Sequence, residues 1–226
     1  MNQKQISTFL LIPVLFLLIS FKGFSQEHPP FWNEIQQFKA QDSIQPPSKN
    51  AILMVGSSSF RMWQDVADYF PGYTFINRGF GGSSLPDVIR YYDDIILPYD
   101  TRQILFYCGE NDLGPTVNGD SVVNRFKTLF KRMRADHKKA RITFISIKPS
   151  ASRAHLMPEM EIANKGIKDF LAMQKNTDFV DVYHKMLTPD GKPLPGIYRE
   201  DKLHMNSKGY AIWQKAISPF LVAKKK

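Results

Sequence analysis

From Ala51 onward, short apolar runs alternate with longer segments whose apolar positions recur at helical spacing. The runs at 52–55, 74–77, 103–107, 142–145 and 179–182 are rich in Ile, Val, Phe or Tyr. Short runs of that kind predict strands covered on both faces. The spacing predicts helices over 85–94, 121–137, 158–174 and about 207–221, with Asp120 or Ser121 as N-cap of the second. Alternation in this order predicts a single α/β domain, a mostly parallel sheet of about five strands with helices on both faces.

Two segments precede that domain. Residues 28–50 read as a short amphipathic helix bracketed by prolines, with Phe31, Trp32, Ile35 and Phe38 on one apolar face that packs on the domain. Residues 1–25 have a basic start at Lys4, an apolar run from Phe9 to Ile19, and small residues at Gly23 and Ser25. That anatomy predicts a signal peptide cleaved between Ser25 and Gln26, and a mature chain that is secreted or periplasmic. The run is short of the roughly 20 apolar residues that a spanning helix needs, so no stable membrane insertion of the mature chain is expected. No cysteine stands directly after it, which argues against a lipid anchor. The expected organisation is 1–25 signal, 26–50 helical segment and 51–226 the α/β domain.

Composition narrows the class further. The 226 residues include one cysteine, Cys108, so no internal disulfide is available and the apolar core must hold the fold by itself. Cys108 ends the run "QILFYC" and reads as a small buried hydrophobe. No cluster of Cys or His has metal-ligand spacing, and neither a metal nor another cofactor is expected. The formal net charge is +9, and loss of 1–25 removes only Lys4 and Lys22 from it. The basic runs at 130–141 and 224–226 read as solvated surface, and no nucleic-acid-binding module is present.

In a parallel sheet, ligands bind where loops leave the carboxyl ends of the strands. Those loops read "GSSSF", "RGFGGSS", "GENDLG" and "KPSASR" in chain order. A serine that opens a helix after a strand has its hydroxyl beside free backbone N–H groups, and Ser57, Ser58 and Ser59 all stand near that position. A glycine of "GFGG" can turn its N–H into the site with no side chain in the way, and an asparagine side chain adds a donor for the same oxygen. Together such donors make an oxyanion hole. A base is available near the end of the chain, where Asp201 and His204 stand three residues apart in "DKLH". That spacing lets the carboxylate hold Nδ1 while Nε2 faces outward. The other histidines, His28, His137, His155 and His184, are read as lacking such company. "GGSS" has no lysine at phosphate-loop spacing. Glu110 and Asp112 read as a solvated pair rather than a cation site. Arg78 and Arg153 on the same rim fit either a substrate contact or a structural ion pair.

Taken in order, "GSSSF", "NRGFGGSS", "GENDL" and "DKLHMNSKGYAIW" resemble the SGNH (GDSL-type) hydrolase superfamily, with the branch of platelet-activating-factor-acetylhydrolase-like esterases most similar. The resemblance spans about 52–213 and implies a three-layer α/β/α, flavodoxin-like fold. It also implies a serine mechanism without a metal: Ser58 as nucleophile, His204 and Asp201 completing the triad, and an oxyanion hole made by Ser58, Gly82 and Asn111. Ser57 departs from the pattern, since the family usually has Asp there. The Gly-x-Ser-x-Gly elbow of α/β-hydrolases is absent, because Phe60 takes its last position.

The expected function is therefore a secreted serine esterase that removes short acyl groups, acetyl above all, from an alcohol or sugar ester. Its partner is a small-molecule or carbohydrate ester, not a nucleic acid. The alternatives are a lysophospholipase or thioesterase acting on lipid, and a non-catalytic carbohydrate-binding module on the same fold.

Overall fold

The computed structural model describes residues 28–223. Its strands are β1 (Ala51–Gly56), β2 (Phe75–Gly79), β3 (Thr101–Tyr107), β4 (Arg141–Ile145) and β5 (Thr177–Val180). They form one sheet in the order β2-β1-β3-β4-β5, and every pairing is parallel. Its helices are α1 (Trp32–Ile44), α2 (Ser58–Arg61), α3 (Val66–Tyr69), α4 (Leu85–Arg90), α5 (Tyr92–Ile95), α6 (Gly119–Asp136), α7 (Met157–Ala172) and α8 (Ser207–Ile217).

Alternate side chains explain the layers. Leu53, Val55, Ile104, Phe106, Ile142 and Phe144 join the cluster that holds the buried faces of α1 and α4 to α7. Ile52, Met54, Leu105, Tyr107, Ile145 and Val180 join the cluster containing α2, α3 and α8. Both faces of the central strands are thus apolar, which is why their sequences lack a polar–apolar alternation. The result is the expected three-layer α/β/α sandwich. Strand order switches direction between β1 and β3, and the crevice outside their carboxyl ends is where such sheets bind ligands.

Several local boundaries differ from the expectation. α6 begins at Gly119, and its N-cap is Asn118, whose Oδ1 accepts from Ser121 N–H at 2.9 Å; neither Asp120 nor Ser121 caps it. The helix expected over 85–94 is two short helices broken at Tyr91. The break sends two adjacent tyrosines to different neighbours: Tyr91 donates to the Pro30 carbonyl at 2.7 Å, and Tyr92 to Asp136 at 2.8 Å. β5 lies two residues earlier than its apolar run, because Asp178 is accommodated by Arg141 at 2.9 Å. Val182 has already left the ladder, and its N–H donates to Ser146 Oγ at 2.9 Å. The last helix stops at Ile217, and a 3₁₀ turn follows over Ser218–Phe220.

α1 lies against the sandwich through buried Ile35, with Phe31, Trp32 and Phe38 beside it. Arg78 secures it, pairing with Asp42, donating to Tyr99 Oη at 2.6 Å and lying over the Phe38 ring. Cys108 is buried, and desolvation pushes its thiol well above the usual range. Among the described residues, no helix is long and apolar enough to cross a membrane. The signal-like segment 1–25 lies outside the described residues.

Candidate active site

The site starts from the way β1 ends. Gly56 has φ +145°, and a Cβ there would stand 1.7 Å from the Tyr107 carbonyl oxygen. Only glycine lets β3 approach this closely at such a backbone angle. The chain then turns through Ser57 into α2. Ser57 and Ser59 are 2% and 3% exposed, while Ser58 between them is only partly buried. Of the three serines, Ser58 alone presents its side chain at the rim. Tyr210 of α8 donates to the Ser59 carbonyl at 2.8 Å and pins this turn to the last helix.

That helix brings the imidazole. Asn206 caps α8 by accepting from Lys208 N–H at 2.9 Å and Gly209 N–H at 3.3 Å, so the preceding turn has a fixed exit. In that turn, Asp201 Oδ1 accepts the N–H groups of Leu203 and His204 at 2.9 Å each. Its Oδ2 lies 2.6 Å from His204 Nδ1, and His204 Nε2 lies 3.0 Å from Ser58 Oγ. An imidazole held at Nδ1 by a carboxylate presents a lone pair at Nε2, and can take a hydroxyl proton there. The bond to His204 holds the Asp201 carboxyl down at about 2. Unfolded, such a group takes up its proton near pH 3.9. The ionised Asp201 carboxylate therefore adds stability above about pH 4, and that contribution is lost as pH falls toward about 2.

The other two expected residues come from the next loops along the switch-point crevice. The Gly56 carbonyl accepts from Phe80 N–H at 3.0 Å and Ser83 Oγ at 3.2 Å, which ties the glycine turn to the end of β1. Glu34 of α1 accepts the Gly81 N–H at 3.0 Å and pairs with Arg61 of α2 at 2.8 Å. Gly82 is exposed, and the nearest atom to a Cβ built on it would be Asn111 Nδ2 at 3.7 Å. Asn111 Nδ2 donates to the Ser83 carbonyl at 3.1 Å. Gly82 and Asn111 are thus neighbours, from the loops after β2 and β3, beside the loop after β1 that carries Ser58.

Two expectations need correction, and the two rim arginines part company. Glu110 and Asp112 are buried rather than solvated. Glu110 accepts from Tyr107 Oη at 2.7 Å and Lys148 Nζ at 3.2 Å, and Asp112 accepts from Leu85 N–H at 2.9 Å and Arg125 at 2.8 Å. Arg78 is bound up with α1, as described above, whereas Arg153 stays on the rim and donates to Asn111 Oδ1 at 2.8 Å. Finally, His204 is not alone in having an acid three residues before it: Asp181 Oδ2 lies 2.7 Å from His184 Nδ1. The ring of His184 is 74% exposed against 20% for His204, and no serine hydroxyl bonds its Nε2 among the described residues. This second pair borders a groove of about 620 Å³ beside α7 and β5, whose lining includes neither Ser58 nor His204.

Sequence reasoning missed Lys148 and Glu34 as supports of the site. The signal for Lys148 was a lone lysine three residues past the end of an apolar strand, in "ISIKPS". Burial pushes its ammonium below the usual lysine range, with Glu110 acting in the opposite direction. Among the described residues, no group of three or more His, Cys, Asp or Glu side chains is placed to hold a metal ion.

No curated protein matches the chain in sequence. Among solved structures, a protein named for platelet activating factor from Streptococcus pneumonia superposes with a TM-score of 0.74 at 21% identity, covering 84% of this chain and 92% of its own. A protein named as an acylhydrolase from Bacteroides fragilis gives 0.72 at 21% identity, over 86% of this chain and 97% of its own. A carbohydrate esterase family 3 protein from Talaromyces cellulolyticus gives 0.59 at 17% identity, over 76% and 95%. At these identities the likeness is one of fold. The GDSL-like Lipase/Acylhydrolase family model matches residues 50–212, a stretch that takes in every loop of the site, and the chain belongs to that family.

Proposed function

We propose that this ester hydrolase works through an acyl-enzyme on Ser58 and removes short acyl groups, chiefly acetyl, from an alcohol or sugar, outside the cytoplasm. The observation that carries the reading is the unbroken chain from Ser58 Oγ through His204 to Asp201, with contacts of 3.0 and 2.6 Å. His204 Nε2 takes the Ser58 proton as Oγ attacks the ester carbonyl. The oxyanion is held by Ser58 N–H, Gly82 N–H and Asn111 Nδ2–H. His204 then gives its proton to the leaving alcohol. Water, deprotonated by the same nitrogen, releases the acid and regenerates Ser58.

Short acyl groups are favoured by what surrounds the rim. Among the described residues, the long irregular stretch between β5 and α8, 181–206, carries Asp201 and His204. It holds no helix beyond the short 3₁₀ turn His184–Met186, so no helix of this stretch is laid over the rim to cover a fatty chain. The carbohydrate-esterase name of one structural relative points the same way, and an exported enzyme meets polymer-bound acetyl esters. Export itself rests on the signal-like segment 1–25. N-terminal sequencing of the exported protein should find Gln26 first; an intact Met1 on membrane-bound material would overturn it.

The test of substrate size is a series of acetyl, butyryl, octanoyl and palmitoyl esters under one condition. Each methylene buried in a matching tunnel contributes about 0.8 kcal/mol, so an enzyme built for long chains gains several-fold in kcat/KM with every added pair of carbons. Here kcat/KM is expected to be highest for acetyl or butyryl and to fall beyond. A maximum at octanoyl or longer would move the reading to a lipid acylhydrolase.

A further inference from the structure

The loop after β4 supplies no member of the Ser58–His204–Asp201 chain, yet it touches both halves of the site. Lys148 Nζ donates to the Leu203 carbonyl at 2.8 Å, and Tyr198 Oη donates to the Pro149 carbonyl at 2.7 Å. The Ser152 N–H and hydroxyl both donate to the Lys202 carbonyl, at 3.2 and 3.1 Å. These bonds seat the loop on the turn that carries Asp201 and His204. From that seat, Arg153 reaches across to the loop after β3. Its Nη1 donates to Asn111 Oδ1 at 2.8 Å and to the Glu110 carbonyl at 3.0 Å, with the Glu110 carboxylate 3.7 Å away.

We propose that Arg153 is a positioning residue that sets which way the Asn111 amide faces, keeping its Nδ2–H₂ toward the forming oxyanion. The inference rests on the acyl-enzyme reading above. An asparagine amide has an acceptor at one end and donors at the other, in nearly the same shape. Here the surroundings choose between them. A guanidinium only donates, so it requires Oδ1; the Ser83 carbonyl only accepts, so it requires Nδ2. Turning the amide over would set donor against donor at Arg153 and acceptor against acceptor at Ser83. One Nδ2 hydrogen is engaged by Ser83, and the second remains for substrate. The guanidinium charge also polarises the amide, which makes that hydrogen a stronger donor. Without Arg153, a single neutral hydrogen bond resists the flip, and a flipped Asn111 presents Oδ1 to the oxyanion and repels it.

The test is a double-mutant cycle on hydrolysis of an acetyl ester, using Arg153→Met, Asn111→Ala, the pair, and Arg153→Lys. Asn111→Ala is expected to lower kcat by roughly 10²–10³, the range for losing one oxyanion donor. Arg153→Met should lower kcat by about tenfold or more with KM changed less than about twofold. The double variant should match Asn111→Ala within about twofold, since Arg153 then has nothing left to orient. Arg153→Lys keeps a charged donor and should recover part of the loss. If Asn111→Ala leaves kcat intact, the reading of the site itself fails, whatever Arg153 does. If Asn111→Ala is slow but the two losses multiply, Arg153 acts elsewhere and the proposal is overturned. A raised KM at unchanged kcat in Arg153→Met overturns it as well, because that is the mark of a substrate contact. A variant that merely folds poorly loses activity equally in both backgrounds, and so falls among the multiplying outcomes.

Discussion

Ser58→Ala is expected to lower kcat by roughly 10³–10⁶, the span seen when a nucleophile is removed from groups that act as a unit. His204→Ala should cost about as much, because the hydroxyl without its base is as ineffective as the base without its hydroxyl. The two neighbouring serines make the comparison sharp. Ser57 and Ser59 have the same side chain one residue away, but both are buried, and the bond to His204 Nε2 is made by Ser58. Ser57→Ala and Ser59→Ala should therefore retain most of the activity. Steady-state kinetics on an acetyl ester checks the rates, and labelling with a serine-directed phosphonate followed by peptide mass spectrometry checks the residue. A label on Ser57 or Ser59 would show that the assigned register is wrong.

The parts of this site that were legible beforehand are those whose chemistry is local in the chain. Asp201 and His204 are three residues apart, and a single turn suffices to join them. The loops with Ser58, Gly82 and Asn111 follow strands whose apolar runs are plain, and a parallel sheet brings such loops to one edge whatever separates them in sequence. What was not legible depends on contacts between distant segments. Glu110 and Asp112 look like solvated acids until Lys148, Arg125 and the Leu85 N–H arrive from three other parts of the chain. Arg78 became structural only once α1 placed Asp42 and Phe38 beside it. The same applies to Asp181 and His184: the spacing is that of the proposed catalytic pair, and only exposure and the missing serine tell the two apart. Spacing makes a dyad; the fold decides whether a nucleophile stands at its outer nitrogen.

Lys148→Met is expected to destabilise the protein by about 3–5 kcal/mol, the cost of leaving one partner of a buried ion pair behind. Lys148 is 1% exposed, and its ammonium has two oxygens within reach, Glu110 Oε1 at 3.2 Å and the Leu203 carbonyl at 2.8 Å. Methionine fills much of the same volume, so the loss is electrostatic rather than a cavity. Glu110 would keep the Tyr107 hydroxyl at 2.7 Å and Arg153 at 3.7 Å, which places the expected value toward about 3 kcal/mol rather than about 5. The second variant separates charge from shape. In Lys148→Met with Glu110→Gln, no buried charge is left without its partner, and about half or more of the lost stability should return. Urea unfolding of the native chain, the single variant and the pair measures both differences from their midpoints and slopes. A single variant within about 0.5 kcal/mol of native would mean that Glu110 is already satisfied without the lysine. A double variant less stable than Lys148→Met would mean that the Glu110 carboxylate, through Tyr107 and Arg153, stabilises the rim even when the lysine is gone.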